Sequence, residues 1–233
     1  MKKMKFIKLK TLRIVGMISL ILSLTACDLG LQESFDFDPE VDLSDPLDKF
    51  TAWEWIQTKD QLTTDGKFDG EQFNYFIAAI KAAGMEAEYS GANKNRTYLL
   101  LNNNAFTGTG DIIHIVTGKS SVPAGETPDQ TMARADIEKL RTILKYHIVT
   151  TYIAQVPTLE ERDVDYLFQT MIPGEDGLIA FRRDVLYRVT INREPAPLPD
   201  VATKEWEAVR SHNYVFNNGV GHVIADPVRN KPY

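Results

Sequence analysis

Residues 97–106 read Thr-Tyr-Leu-Leu-Leu-Asn-Asn-Asn-Ala-Phe. The first five of them, Thr97 to Leu101, form a short and strongly apolar run of the length that strands have in globular proteins. This run predicts a strand. Further along the chain, Asp111 to Val116 is a second and weaker strand candidate.

Helical patterns lie on both sides of the apolar run. Before it, a stripe at helical spacing is formed by Phe73, Phe76, Ile77 and Ile80. Asp69 and Gln72 have capping-box spacing, and Gly84 is a natural stop after Ala83. These signals predict a helix that begins near Asp69 and ends before Gly84.

A second helix is predicted to start at Asp136. Its apolar residues recur at helical spacing, at Ile137, Leu140, Ile143 and Leu144. His147 lies three residues beyond Leu144 and four beyond Ile143, so we expect its side chain on the same apolar face.

The C-terminal half is dominated by strand patterns. Leu178–Phe181 and the alternating run Val185–Ile191 predict two strands. Tyr214–Phe216 and Val220–Ile224 flank Asn217-Asn218-Gly219, whose Asn-Gly pair favours a tight hairpin turn. Helices come mostly early and strands mostly late, without βαβ alternation, which predicts an α+β fold in one domain from about Phe50 onward.

Three segments in this order resemble the signature of the fasciclin domain. Residues 97–106 are similar to the first homology box of that family. Tyr146 and His147 end an apolar helix, as a Tyr-His pair does in the family, and residues 218–224, Asn-Gly-Val-Gly-His-Val-Ile, resemble the second box. The matching residues are Thr97, Asn103, Ala105, Phe106, Tyr146, His147, Asn218, Gly219 and His222.

The resemblance covers roughly residues 50–229 and has clear departures. Leu101 replaces the usual proline, Asn102 replaces a hydroxyl residue, Gly221 stands where Ile or Val is usual, and Ala225 stands where Asp is common. The resemblance implies a wedge of β-strands flanked by helices, used for adhesion and for binding other macromolecules. It implies no catalytic site and no cofactor.

The N-terminus has the pattern of a secretory signal. Six basic residues and no acidic ones precede an 11-residue apolar run, Ile14–Leu24, which is too short to span a bilayer. Leu24-Thr25-Ala26-Cys27 resembles the bacterial lipobox, in which the cysteine is lipidated. We therefore predict a signal peptide at 1–26, lipidation of Cys27, an acidic tether at 27–49 and a fasciclin-like domain at 50–229.

This organisation predicts a lipoprotein of the bacterial cell envelope, at the outer membrane or cell surface, held to the membrane through its lipid anchor. The whole chain has 233 residues and a formal net charge of −6. Cleavage before Cys27 would remove six of the 26 basic residues and no acidic one, which leaves the mature chain at −12. Such a charge argues against a general nucleic-acid binder, and a single cysteine excludes an internal disulfide.

Several isolated patterns suggest other chemistry. The carboxylates of Glu160–Asp165 are the basis of a hydrolase hypothesis, although a solvated charge run is the preferred interpretation. Thr117-Gly118-Lys119-Ser120 lacks the first glycine of a phosphate-binding loop, and the four histidines have no metal-binding spacing, so no metal site is predicted.

Two questions about binding stay open at this stage. His147 and Tyr146 are either structural core residues or part of a partner-binding motif. The partner is an unidentified protein or a glycan, and the alternative function is a surface glycan-binding lipoprotein for nutrient capture. Three tryptophans could serve such a protein as sugar-stacking platforms, namely Trp53, Trp55 and Trp206.

Overall fold

The apolar run Thr97–Leu101 is a central strand of the first sheet. A computed structural model describes residues 47–62, 69–107, 111–198 and 207–228. In it Thr97–Leu101 forms β1, with all five residues buried. The predicted strand is confirmed. Burial on both faces explains why the run is continuously apolar rather than alternating.

The described residues contain six α-helices, eight strands and two short 3-10 helices. In chain order the α-helices are α1 (Ala52–Gln57), α2 (Asn74–Ala83), α3 (Glu86–Ser90), α4 (Ile112–Thr117), α5 (Pro128–Met132) and α6 (Ile137–Tyr146). The strands are β1 (Thr97–Leu101), β2 (Ile148–Val149), β3 (Asp165–Gln169), β4 (Leu178–Arg183), β5 (Val189–Ile191), β6 (Glu207–Ala208), β7 (Ser211–Phe216) and β8 (Gly219–Ile224). The 3-10 helices are Asn103–Phe106 and Glu175–Gly177.

The strands form two four-stranded sheets. The first has the order β2-β1-β8-β7, in which β1 and β8 are parallel and Leu99 lies opposite His222. The second has the order β3-β4-β5-β6 and is antiparallel throughout. The two sheets meet where the amide of Thr150 donates to the carbonyl of Gln169 at 2.9 Å. The predicted α+β class is confirmed.

The first long helix, α2, begins later than the sequence predicted. Asp69 does not cap it: one carboxylate oxygen accepts from the amide of Glu71 at 3.0 Å, which makes a local turn. The helix starts only at Asn74, and Phe73 occupies the N-cap position without a side-chain cap. The predicted start is therefore wrong, whereas the predicted stop is confirmed, because Gly84 adopts the left-handed conformation at φ 64°.

Asp111 is the N-cap of a helix that contains residues 112–116, so the weaker strand prediction is wrong. The helix is α4, Ile112–Thr117, and Gly118 ends it at φ 70°. Ile112, Ile113 and Val116 are buried, and this spacing fits one helix face. The second helix prediction is confirmed, because Asp136 is the N-cap of α6 and accepts from the amide of Lys139 at 3.2 Å.

The run Val185–Ile191 is a strand only over its last three residues, β5. Residues 184–188 form the turn between β4 and β5, and Tyr187 lies there at φ 62°. The predicted strand is thus too long. The predicted hairpin of β7 and β8 is confirmed, with Asn217 and Asn218 as the connecting residues and Gly219 as the first residue of β8.

The core contains buried residues of the helices and of both sheets, and aromatic rings pack against one another within it. The ring of Phe76 on α2 is 5.6 Å from that of Tyr89 on α3 and 6.3 Å from that of Phe106. Tyr89 in turn contacts Tyr98 on β1 at 5.5 Å. Burial of these large apolar surfaces is the main term that stabilises the fold.

Candidate functional site

The second homology-box asparagine, Asn218, joins three parts of the chain. Its side-chain carbonyl accepts from the amide of Ala52 at 2.9 Å, and its side-chain amide donates to the carbonyl of Tyr89 at 2.8 Å. The hydroxyl of Tyr98 donates to its backbone carbonyl at 3.2 Å. The residue is fully buried. Asn218 therefore holds α1 and α3 against the hairpin, out of reach of a partner.

The polar residues of the first box are buried connectors as well. The Thr97 hydroxyl donates to the carbonyl of Thr151 at 2.7 Å and accepts from the amide of Ile153 at 2.8 Å. Asn103 accepts from the amide of Tyr75 at 3.1 Å and donates to the side-chain oxygen of Asn74 at 2.8 Å. These bonds attach β1 to the loop after β2 and its 3-10 extension to the start of α2.

The apolar and glycine positions of the boxes are fixed by close packing. Ala105 and Phe106 are fully buried, and the Phe106 ring stacks on that of Tyr75 at 6.1 Å. Gly219 has φ 146°, and a Cβ atom there would lie 2.5 Å from the carbonyl oxygen of Arg96. Only glycine meets both conditions.

Tyr146 and His147 are fully buried at the end of α6. The Tyr146 hydroxyl donates to the carbonyl of Leu178 at 2.9 Å and accepts from the side-chain amide of Asn192 at 3.1 Å. His147 Nδ1 lies 2.7 Å from the carbonyl of Ile143, and the amide of Val228 donates to Nε2 at 3.2 Å. The pair joins α6 to the second sheet and to the segment after β8.

His222 lies on β8 in the centre of the first sheet. Its Nε2 is 2.8 Å from the carbonyl of Ile153, and the amide of Asn213 donates to Nδ1 at 3.3 Å. Burial disfavours the charged ring and lowers its pKa to about 4. The ring is neutral at physiological pH, with a proton on Nε2 that donates to Ile153.

All the residues predicted from the family motifs thus lie inside the protein and form one buried frame. The structure brings the two boxes together because β1 and β8 are parallel neighbours. A surface-exposed contact would have to come from other residues. The sequence patterns did not identify such residues, since exposure of an apolar side chain depends on the tertiary fold.

One cleft of about 260 Å³ lies beside the first box. Its described lining is mostly apolar and includes Tyr75, Phe106, Ile113 and Val122, with Ser120 and Ser121 at the side. None of these described lining residues is a carboxylate or a histidine. The cleft therefore does not supply the acid and base that the hydrolase hypothesis requires.

The carboxylate run and the Gly-Lys-Ser turn noted in the sequence show no arrangement typical of a catalytic site in the described residues. Residues 160–164 are exposed, and Asp165 forms an ion pair with Arg182 at 2.7 Å on the neighbouring strand. Gly118 of the Gly-Lys-Ser turn is the left-handed residue after α4. Among the described residues, no three His, Cys, Asp or Glu side chains are grouped closely enough to hold a metal ion.

The tryptophans are placed unequally. Trp55 is 7% exposed, and its ring packs 4.8 Å from that of Tyr214 and 5.5 Å from that of Phe216. Trp53 is half-buried beside the core. Trp206 and Cys27 lie outside the described residues. Of the helices in the described ranges, none combines the length and the apolar character that crossing a bilayer requires.

Two sheets, a set of helices and a buried motif frame define a domain of the α+β class. The fasciclin-domain family model matches residues 71–228, and the chain belongs to that family. The predicted resemblance is confirmed. The fasciclin domain is known in adhesion-type proteins, which supports an interaction module rather than an enzyme.

A solved structure gives a further comparison. It is a FAS1 domain pair from the insect cell adhesion molecule fasciclin I, with 11% sequence identity and a TM-score of 0.49. The match covers 76% of this chain and 50% of that structure, so the chain spans half the length of the insect domain pair. No curated protein matches this chain.

Proposed function

We propose that this chain is a lipid-anchored, non-enzymatic protein of the bacterial cell envelope whose fasciclin domain acts in adhesion or macromolecular interaction. The family match over residues 71–228 is the observation that carries the interaction role. The basic leader and the lipobox-like Leu24–Cys27 support the anchor. Together they support an interaction module held at a membrane surface.

The burial of the motif residues supports a division of roles within the domain. The side chains of Asn218, His147 and His222 hydrogen-bond to backbone groups inside the protein and are at most 1% exposed. A partner that binds the folded domain therefore contacts loops and strand edges, and the motif keeps those elements in place. Adhesion should depend on exposed segments, which differ among members of a family more than the core does.

The anchor is tested by expressing the full chain in a bacterial host and analysing the membrane fraction. We expect the mature protein to start at Cys27, to carry acyl chains by mass spectrometry and to float with membranes. Several acyl chains hold a protein firmly, whereas one is marginal. Cys27→Ala should abolish acylation and flotation, while Ser23→Ala, a matched change outside the lipobox, should leave both intact. A Cys27→Ala protein that still floats would contradict the anchor.

The interaction role is tested with beads that carry the mature domain. Binding to bacterial cells and to extracellular-matrix proteins is measured against beads that carry an unrelated acidic protein. Replacing the exposed segment 160–164 by a Gly-Ser sequence of equal length should reduce binding. Unchanged binding after replacement of each exposed loop in turn would count against the proposal.

The glycan-binding alternative has a narrower basis. Trp55 packs against Tyr214 and Phe216 and is not available for stacking on a sugar. Trp53 is half-buried and remains a candidate among the described residues. A glycan array distinguishes the two functions: binding that free sugar competes away, and that Trp53→Ala removes, would favour the glycan binder over the protein-binding adhesion module.

A further inference from the structure

Exposed apolar side chains are concentrated at one end of the second sheet. Three consecutive residues of the β4–β5 turn, Val185, Leu186 and Tyr187, are 53%, 68% and 57% exposed, and we call them the apolar tip. Two more exposed valines lie close by: Val156 follows Gln155, which bonds to the turn, and Val164 follows Asp163, which bonds to the last residue of β4. The side-chain amide of Gln155 donates to the carbonyl of Tyr187. The backbone amide of Asp163 donates to the backbone carbonyl of Arg183 at 2.7 Å.

The backbone of the apolar tip is hydrogen-bonded within the turn. Asp184 accepts from the amides of Leu186 and Arg188 through one carboxylate oxygen, at 2.8 and 2.9 Å. Its backbone carbonyl accepts from the amide of Tyr187 at 3.1 Å. Although desolvation opposes ionisation, the hydrogen bonds from Arg188 and Leu186 lower the pKa of Asp184 below its usual value. The carboxylate is thus charged at neutral pH and holds the turn in one shape.

The base of the turn is also braced by a buried arginine. The Arg183 guanidinium donates to the carbonyls of Leu159 and Glu160 and lies 4.7 Å from the centre of the Tyr187 ring. This cation–π contact holds the Tyr187 ring of the tip against the Arg183 guanidinium. The base of the tip is therefore fixed by satisfied polar groups, while Val185, Leu186 and Tyr187 each stay more than half exposed.

We propose that the apolar tip inserts into the interfacial layer of the lipid bilayer to which the chain is anchored, an inference that rests on the proposed lipid anchor. A bilayer receives exposed apolar side chains without needing a matching groove. Apolar exposure of this kind marks contact with a membrane or a protein. The backbone amides of Leu186 and Tyr187 both donate to Asp184, so they keep these hydrogen bonds when the tip enters the interfacial layer. This lowers the cost of moving the tip from water into the membrane. A tyrosine is well suited to that depth, since its ring is apolar and its hydroxyl polar.

The proposed tether is long enough to allow this contact. Residues 28–46 lie between the predicted anchor and the described domain. Nineteen residues span at most about 65 Å when fully extended. A compact domain of about 180 residues has a radius of gyration of about 16 Å. Even the far side of the domain can therefore reach the surface that holds Cys27.

The charges around the tip indicate that apolar burial, rather than charge attraction, drives the contact. Arg188 is exposed at the base of the turn, and its guanidinium pairs with Asp184 at 2.6 Å. Glu160 and Asp163 are also exposed nearby, so these four residues carry no net positive charge that would attract anionic lipid. Insertion is therefore expected on zwitterionic lipid and should be insensitive to salt. Three side chains bind weakly alone, so a high local concentration from the anchor, or a large excess of vesicles, is needed to populate the contact.

The experiment uses the mature, lipidated chain in vesicles of phosphatidylcholine and phosphatidylethanolamine. Cys27 is the chain's one cysteine and is blocked once acylated, so Leu186→Cys takes an environment-sensitive fluorophore at a single site. Leu62→Cys is the matched control, because Leu62 is an exposed leucine outside the tip, 54% accessible. We expect a blue-shifted emission at position 186 and loss of most of its fluorescence with nitroxide-labelled lipid, and a solvent-like emission at position 62. Changing Val185 and Tyr187 to serine should return the probe at 186 to a solvent-like emission.

The outcomes separate the inference from the anchor on which it rests. A solvent-like, unquenched probe at position 186 on vesicles that carry the acylated chain overturns insertion and leaves the anchor standing. A probe at 186 that is shielded only in native cell membranes, and not on pure lipid, also overturns it and indicates a protein partner. Should the chain lack acylation, Leu186→Cys in a Cys27→Ser background is mixed with excess vesicles. Quenching then supports insertion without the anchor, and its absence overturns insertion.

Discussion

The side chain of Asn218, in the last hairpin, accepts a hydrogen bond from the backbone amide of Ala52, which precedes it by 166 residues. The same side chain donates to the carbonyl of Tyr89 at 2.8 Å. Both bonds are buried, so neither partner can turn to water when Asn218 is absent. The side-chain amide group of Asn218 thus joins α1, α3 and the β7–β8 hairpin.

We predict that Asn218→Ala lowers the free energy of unfolding by about 2–4 kcal/mol, because it leaves the Ala52 amide and the Tyr89 carbonyl unsatisfied in the interior. The measurement is urea unfolding followed by tryptophan fluorescence. Asn217→Ala is the neighbouring control, since Asn217 is exposed and its side chain makes only a 3.4 Å bond to Lys49. It should cost less than about 1 kcal/mol. Equal losses in the two variants would show that Asn218 is not the connector.

The buried His222 ring predicts a loss of stability in acid. Its pKa is about 4 in the folded protein, against 6.5 for an unperturbed histidine. Between these two values the unfolded chain binds a proton that the folded chain does not, so the free energy of unfolding falls as the pH falls from about 6.5 to 4. The loss from this residue is about 2 kcal/mol between pH 7 and 5.

The check is a comparison of urea midpoints at the two pH values. His222→Gln keeps a donor near the Ile153 carbonyl but cannot be protonated, so it should be less stable at pH 7 and less sensitive to acid. His212→Gln, at an exposed position on β7, should keep the wild-type sensitivity. An unchanged acid sensitivity in His222→Gln would exclude this histidine as the cause.

Gly221 departs from the family pattern for a packing reason that the structure supplies. A Cβ atom at this position would lie 2.7 Å from a ring carbon of Phe216 and 2.7 Å from a methyl carbon of Leu100. We predict that Gly221→Ala costs about 1–3 kcal/mol by overpacking. In a Phe216→Leu background, where the ring is gone, the same change should cost clearly less. Additive losses in this double-mutant cycle would mean that Phe216 does not restrict the site.

The fold class and several elements could be predicted because their patterns were long or had clear ends. α6 combines an apolar stripe with an Asp136 cap, and the hairpin has apolar runs on both sides of its asparagines. α4 was missed because a six-residue run rich in isoleucine fits both a strand and a buried helix. Its Gly118 stop was the available signal. The sequence also contained a signal for the start of α1, because Thr51 and Glu54 form a complete capping box.

The exposed apolar tip could not be predicted from the sequence, for a different reason. Val185 to Ile191 alternates as a strand does, yet Asp184 accepts three backbone amides and turns the chain before β5 begins. Whether residues 184–188 form a turn or a strand depends on the Asp184 carboxylate and on Gln155, which lies some thirty residues earlier. Local periodicity contains no such information. The motif positions were recognisable through the family, but their burial follows only from the parallel pairing of β1 and β8.

The Tyr146-His147 pair offers the sharpest test of a structural role against a partner-binding one. Tyr146 is fully buried, and its hydroxyl bonds to Leu178 and Asn192 on the second sheet. We predict that Tyr146→Phe, which keeps the ring and removes the hydroxyl, lowers the free energy of unfolding by about 1–3 kcal/mol. Binding of the folded variant to cells or matrix on beads should be unchanged at a temperature where both proteins are fully folded.

The control for that experiment is Tyr187→Phe, which removes a hydroxyl from an exposed tyrosine. It should leave stability nearly unchanged, because an exposed hydroxyl keeps its hydrogen bonds with water. If Tyr146→Phe instead reduces bead binding while the urea midpoint stays at the wild-type value, the hydroxyl acts on a partner. That result would require the buried pair to become exposed on binding, and faster hydrogen exchange of α6 in the complex would detect it.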